Sequence, residues 1–192
     1  MTETAPTPPS SFTRKQLIIN ATLQTIVEEG VAGLGLRHVA KEAGVALGSI
    51  SYYFTDKDGL LSAAFQDYTA RSVAEFSAFY RDVHTLADAR QATVSMLCYT
   101  AAYRTDLILS AELYSLSLRR PRHRMVLSQW TQSCRDVMAR YFDSDATLAL
   151  DALWEGLVLH TAMKIDNYDP TFIARTVERL TPEASFIYSA TS

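Results

Sequence analysis

Gly48, Ser49, Ser51 and Tyr52 lie within the stretch GVALGSISYYF, residues 44 to 54, and bring hydroxyls and bare backbone into one short segment. If this segment is a helix, these four residues face one way. Ile50, Tyr53 and Phe54, at i, i+3 and i+4, face the inner side. Near a helix N-terminus, Gly48 and Ser49 leave backbone N–H groups open to phosphate oxygens. Ser51 and Tyr52 can hydrogen-bond, and the tyrosine ring can touch a thymine methyl. This chemistry suits the major groove of duplex DNA, which admits the N-terminal part of an exposed helix.

A helix offers such a side only if something braces it from behind. The spacing predicts a preceding short helix over Leu36–Ala43, ended by Gly44 in a left-handed conformation, then the candidate helix over Leu47–Phe54. Val39, Ala40, Ile50 and Tyr53 are placed to pack the pair, and a residue larger than Ala40 would force them apart. Upstream, Thr13 and Gln16 have capping-box spacing, Ile18, Ile19, Thr22 and Ile26 mark one helical face, and Gly30 can stop that helix. Downstream, Thr55 and Asp58 have the same box spacing and open a long helix carrying Leu60, Leu61, Ala64, Phe65, Tyr68, Val73, Phe76 and Phe79.

Charge supports groove binding by position and not by sum. Between Ser11 and Leu60, five basic residues (Arg14, Lys15, Arg37, Lys41, Lys57) are cancelled by five acidic ones (Glu28, Glu29, Glu42, Asp56, Asp58), and the whole chain has net charge -3. Yet Arg14 and Lys15 open the first helix, Arg37 and His38 the second, and Lys57 the long one, where they could neutralise phosphates. A solvated-surface reading of each lysine stands beside this one.

Residues 13 to about 62 resemble the DNA-binding domain of the TetR family of bacterial transcriptional regulators. The resemblance is carried by Ile18, Ala21, Gly30, Arg37, Val39, Ala40, Ala43-Gly44-Val45, Gly48-Ser49-Ile50, Tyr53-Phe54, Lys57 and Leu60. GVALGSISYYFTDKDGLL further resembles the RcdA-like branch. The resemblance implies an all-α homodimer, each subunit having a three-helix helix-turn-helix head and a variable ligand-sensing and dimerisation body. It puts Tyr53 and Lys57 on phosphates, and Arg37, Leu47, Gly48, Ser49 and Tyr52 at or near the groove. Two positions depart from the family pattern: Gly35 stands where Ser or Thr commonly caps the helix, and Ser51 replaces a common tyrosine. Lys15 and Ser51 complete the expected DNA-binding set.

The remaining chain also has helical periodicity, near 86 to 104, 106 to 118, 121 to 142, 145 to 166 and 170 to 180, giving about nine helices and no strand pattern. Pro121 and Pro170 suit first turns, with Asp169 as a cap. The domain expectation is a flexible tail over residues 1–10, a head over 11–57 and a body over 58–192. Ala146 to Ile165 is apolar nearly all round, which calls for cover on two sides. Leu153, Gly156, Leu157 and His160 there, with Phe172 and Val177 from the last helix, are the expected dimer interface. Met96, Tyr99, Tyr103, Leu113, Tyr114, Trp130 and Trp154 are the candidate ligand pocket, although the same spacing also reads as ordinary core. His160, with Asp166 out of register, reads as a core or interface histidine. The cluster Arg119-Arg120-Pro121-Arg122-His123-Arg124 reads as solvated charge at a helix connection.

Several function classes find no support. There is no Ser/His/Asp grouping, Glu-x-x-His pair, P-loop or dinucleotide glycine motif, so no enzyme is expected. Cys98 and Cys134 lack metal spacing and read as reduced packing residues; neither a metal nor a cofactor is expected. No apolar run approaches membrane-spanning length and no signal segment is evident, so a cytoplasmic protein is expected. The expected partners are a palindromic double-stranded operator, a second copy of the chain and a small-molecule effector, with repression as the family's commoner mode. The alternative is a helical protein-interaction scaffold that uses the same head without DNA.

Overall fold

Thr13 starts the first helix as expected: its hydroxyl accepts from the Gln16 N–H at 3.2 Å, one arm of the predicted box. The computed structural model describes residues 13–166 and 168–188, so the expected tail over residues 1–10 lies outside the described residues. Among these there are nine α-helices and no strand: α1 (Arg14–Gly33), α2 (Leu36–Glu42), α3 (Leu47–Tyr53), α4 (Lys57–Phe79), α5 (Leu86–Ala102), α6 (Arg104–Ser117), α7 (Pro121–Met138), α8 (Ser144–Ala162) and α9 (Pro170–Leu180). They form two compact units that divide between Ala64 and Phe65.

In the first unit α1, α2 and α3 pack on one another. Their core is Ile18, Ile26, Leu34, Val39, Ala40, Ile50, Phe54 and Leu60, all buried. Gly30 breaks α1 with φ 71° and ψ 171°, a conformation open to glycine, and the chain turns to Leu34. At the end of α2, Gly44 has φ 64°. Its N–H donates to Lys41 O at 3.1 Å and the Val45 N–H donates to Ala40 O at 3.0 Å, the paired bonds of a Schellman motif. The start of α4 differs from the expected Thr55/Asp58 box. The helix begins at Lys57, and Asp56 is the cap, accepting from the Gly59 N–H at 2.6 Å. The first helical residue is therefore one place later than a Thr55 cap requires.

In the second unit α5 packs against α9 and α8, and α6 against α7 and α8. Thr85 and Asp88 form a full capping box on α5, Asp143 caps α8 and Asp169 caps α9, while Pro121 and Pro170 open their helices. Arg90 on α5 donates to the Thr181 hydroxyl and carbonyl, tying the end of α9. Arg135 on α7 holds the buried Asp151 of α8 through two bonds of 3.0 and 2.6 Å. Cys98 and Cys134 are free thiols, and burial pushes that of Cys134 up to about 12, so it stays protonated and packs as an apolar group. No helix among the described residues is long and apolar enough to cross a membrane.

Candidate nucleic-acid interface and ligand pocket

The first unit's candidate surface is built by α3 and the start of α1. Ile50 and Phe54 anchor α3, at 2% and 7% exposure, whereas Tyr52 is 81% exposed. Leu47, Gly48 and Ser51 are exposed too, and Ser49 is half-buried. No side chain caps α3; the Ser49 N–H donates to Ala46 O at 2.8 Å. Gly48 has open space where a Cβ would stand.

Tyr53 corrects an expectation. It is 38% exposed, its ring edge-on to Tyr52 with centroids 4.9 Å apart, and not on the inner side. The helix ends at Tyr53, and Phe54, extended at φ -134°, turns into the inner position instead. Arg14, which sequence reasoning set only among the charged helix starts, lines one concavity with Gly48, Ser49, Tyr52 and Tyr53. Lys15 and Arg37 are exposed. Lys57 is half-buried and its ammonium donates to Leu34 O at 2.5 Å, joining the start of α4 to the end of α1. His38 approaches Glu29 at 3.7 Å. Gly35 provides no side-chain cap for α2, as its departure from the family pattern implied.

The second unit contains a cavity with about 360 Å³ of space unfilled by atoms, part of it continuous with solvent and with unobstructed room for little more than a water. Of the expected pocket residues, Met96, Tyr99 and Trp154 line it. Tyr103 is 49% exposed and packs on Tyr99, centroids 4.1 Å apart. Trp130 lies behind the wall, edge-on to Trp154 at 5.2 Å and to Tyr68 at 5.6 Å. Leu113 is fully buried core, and Tyr114 is half-buried outside the lining, its hydroxyl pushed up first by burial and then by the charge of Glu155. These four do not line this cavity, although Trp130 borders a separate, more open hollow with Thr69, Val73 and Val126; the apolar spacing that selected them is shared by lining and core alike.

Sequence reasoning missed the cavity's polar groups. Glu75 and Asp106 line it together with Tyr68, Phe76 and Phe79. Nothing in the pattern singled out Glu75, an exposed acid on a long helix, whereas Tyr68, Phe76 and Phe79 read only as the inner face of α4. The Tyr68 hydroxyl bonds Ser110 at 3.0 Å and donates to Asp106 O at 3.2 Å, and burial raises its pKa. Burial, then the charge of Glu75, pushes the Asp106 carboxyl above its usual range, while Arg71 opposes this.

The expected dimer surface is also partly corrected. Leu157 and Val177 are 3% and 0% exposed, already covered by their own subunit, so they have no surface to offer a partner. Leu153, Gly156 and His160 are half-buried and Phe172 is 39% exposed. His160 does meet Asp166, Nδ1 to carboxylate 3.6 Å, because α8 ends at Ala162 and the chain turns back. In the basic cluster, His123 is fully buried against Phe65, so the solvated reading fails for it, whereas Arg124 is exposed and also donates to the Ser117 and Leu118 carbonyls at the end of α6.

Residues 18–64 match the model of the family described as bacterial regulatory proteins, tetR family. The chain is 28% identical over 172 residues to the HTH-type transcriptional regulator BetI of Klebsiella pneumoniae, covering 82% of this chain and 87% of BetI. With BetI of Stenotrophomonas maltophilia the identity is 44% over 68 residues, spanning 35% of this chain and 34% of that protein. Among solved structures, SCO1917 of Streptomyces coelicolor A3, a TetR family member, is 31% identical with a TM-score of 0.73, over 91% of this chain and 99% of that one. The multidrug binding protein EbrR, complexed with ethidium, is 30% identical with a TM-score of 0.73, over 88% and 99%.

Proposed function

Because the chain belongs to the TetR family of bacterial transcriptional regulators, we propose that it is a ligand-responsive repressor which binds a palindromic operator as a homodimer in the cytoplasm. The observation that carries the DNA reading is the exposed face of α3. Tyr52, Ser51 and Gly48 point outward while Ile50 and Phe54 hold the helix from behind. In this reading Leu47, Gly48, Ser49 and Tyr52 enter the major groove. Lys15, Arg37, Tyr53 and Lys57, joined by Arg14, contact phosphates. Lys57 keeps two ammonium hydrogens beyond the one it gives to Leu34, so both roles are compatible.

Dimerisation is proposed through α8 and α9, with Leu153, Gly156, His160 and Phe172 at the interface. The exposed apolar residues of these helices and the loop between them, Leu148, Met163 and Ile165, favour it. The small-molecule reading is supported by the cavity against α4, and by EbrR, which has been crystallised with imidazole, proflavin, ethidium and malachite green. A ligand there acts on DNA binding only if it favours one conformation of the dimer over another. Tyr68, Glu75, Phe76 and Phe79 lie on the same helix whose first turn holds Lys57.

The test is a DNA-binding titration over increasing salt, using genomic fragments captured by the purified protein. A repressor on phosphates gives a steep negative slope of log K against log salt, and a specific fragment outcompetes bulk DNA. If no double-stranded fragment is retained at low salt, the head serves protein contacts and the scaffold reading replaces this one.

A further inference from the structure

We propose that the cavity of the second unit selects an organic cation with an apolar body, held by aromatic walls and by the carboxylates of Asp106 and Glu75. This rests on the reading of that unit as a small-molecule sensor and specifies its ligand class. The lining has two acids and no lysine, arginine or histidine. Phe79 and Tyr99 meet at 5.5 Å, and Trp154 lines the wall with its indole N–H directed to the Thr100 hydroxyl at 3.4 Å. Aromatic ring faces attract cations within about 6 Å and do so more strongly when water is excluded.

The two carboxylates differ in position. Asp106 is half-buried and Glu75 is exposed. Asp106 is therefore the main counter-ion, and Glu75 draws the ligand in and adds a screened contribution. Arg71, the cation acting on Asp106, is 56% exposed and bridges Asp67 at 2.8 Å, so it does not fill the cavity. An anionic ligand would be repelled by both acids, and a neutral one would leave Asp106 more desolvated than before. A cation offsets that cost and gains the aromatic contacts. Asp106 also occupies the first turn of α6, where an acid suits the helix dipole. That role alone would give no preference among ligands, which separates the two explanations. Phe79 and Tyr99 are half-buried, and the flexible Met96 lies beside them, so a ring-sized guest enters by displacing movable side chains.

The experiment uses full-length protein and two probes of one shape, phenyltrimethylammonium and its uncharged isostere tert-butylbenzene. Binding is followed by emission of the two tryptophans, one in the cavity wall and the other edge-on behind it. The cation is expected to bind at least about tenfold tighter than the isostere. Asp106→Asn should remove most of that advantage and Glu75→Gln a smaller part, with binding of the neutral probe unchanged. Unchanged neutral binding also shows that each variant is folded; should Asp106→Asn not fold, Glu75→Gln carries the test alone. Equal or tighter binding of the neutral probe, or a cation advantage that survives these substitutions, overturns the proposal. Operator release is measured separately. A cation preference without release supports this site and refutes the sensor reading, whereas release by the neutral probe alone refutes this site and keeps the sensor.

Discussion

At Gly48 the demands of folding and of groove binding point in opposite directions. A methyl group there meets nothing within 4 Å, and alanine is favoured over glycine in a helix by about 1 kcal/mol. Gly48→Ala should therefore raise the midpoint of chemical denaturation while weakening operator binding, since the added methyl stands where backbone is proposed to approach DNA. A gain in both would remove Gly48 from the interface. Tyr52→Ala, at an 81% exposed position, should leave stability unchanged but cost about 1 to 3 kcal/mol of operator binding, relaxing preference at one base position. Uniform weakening on every sequence would make Tyr52 a phosphate contact. Gly44 has equally open space, but its φ of 64° is one that alanine resists; Gly44→Ala should destabilise the head by about 1 to 2 kcal/mol in urea unfolding.

The helices show which information was local. Gly44, Thr13, Asp169, Pro121 and Pro170 act within a few residues of themselves, so their punctuation could be read from spacing, and the predicted helices match the observed ones to within a few residues. The α4 cap was misread because Thr55 and Asp56 are both competent caps and only the helix start decides between them. The cavity was legible only in part. That Trp154 lines this cavity while Trp130 stands behind it depends on neighbouring helices, and Arg135 meets Asp151 only after α7 and α8 have packed. That pair gives a prediction for the α7–α8 contact. The Asp151 side chain is 7% exposed and that of Arg135 34%, so removal by Asp151→Ala should cost about 2 to 3 kcal/mol, below the range for a fully buried pair. Thermal unfolding would measure it. Glu155 next to it has its carboxyl raised, first by burial and then by Asp151, against the opposing effects of Tyr114 and Arg135. In the window between its unfolded and its raised folded value the native state binds more protons, so stability falls as pH rises through it. Glu155→Gln should flatten that slope and raise stability at neutral pH; an unaltered slope would assign it to Asp106 instead.

For the whole molecule, the proposed regulator depends on symmetry. One three-helix head offers few base contacts, and specific binding comes from two heads meeting half-sites one helical turn apart, roughly 34 to 36 Å. Linking the heads turns the second binding event into an intramolecular one, so a monomer should lose far more operator affinity than any single contact supplies. Gly156 is a place to test this, since a Cβ there meets nothing within 4 Å and any non-proline residue favours the helix over glycine. A two-fold partner approaching α8 would meet that side chain. Gly156→Arg should give a folded monomer by sedimentation, with unchanged helical content and operator affinity at least about a hundredfold weaker, while nonspecific DNA binding falls much less. If the variant remains dimeric with full affinity, the α8 surface around Gly156 is not where the subunits meet, and the exposed Met163 and Ile165 beyond the end of α8 become the surface to substitute next.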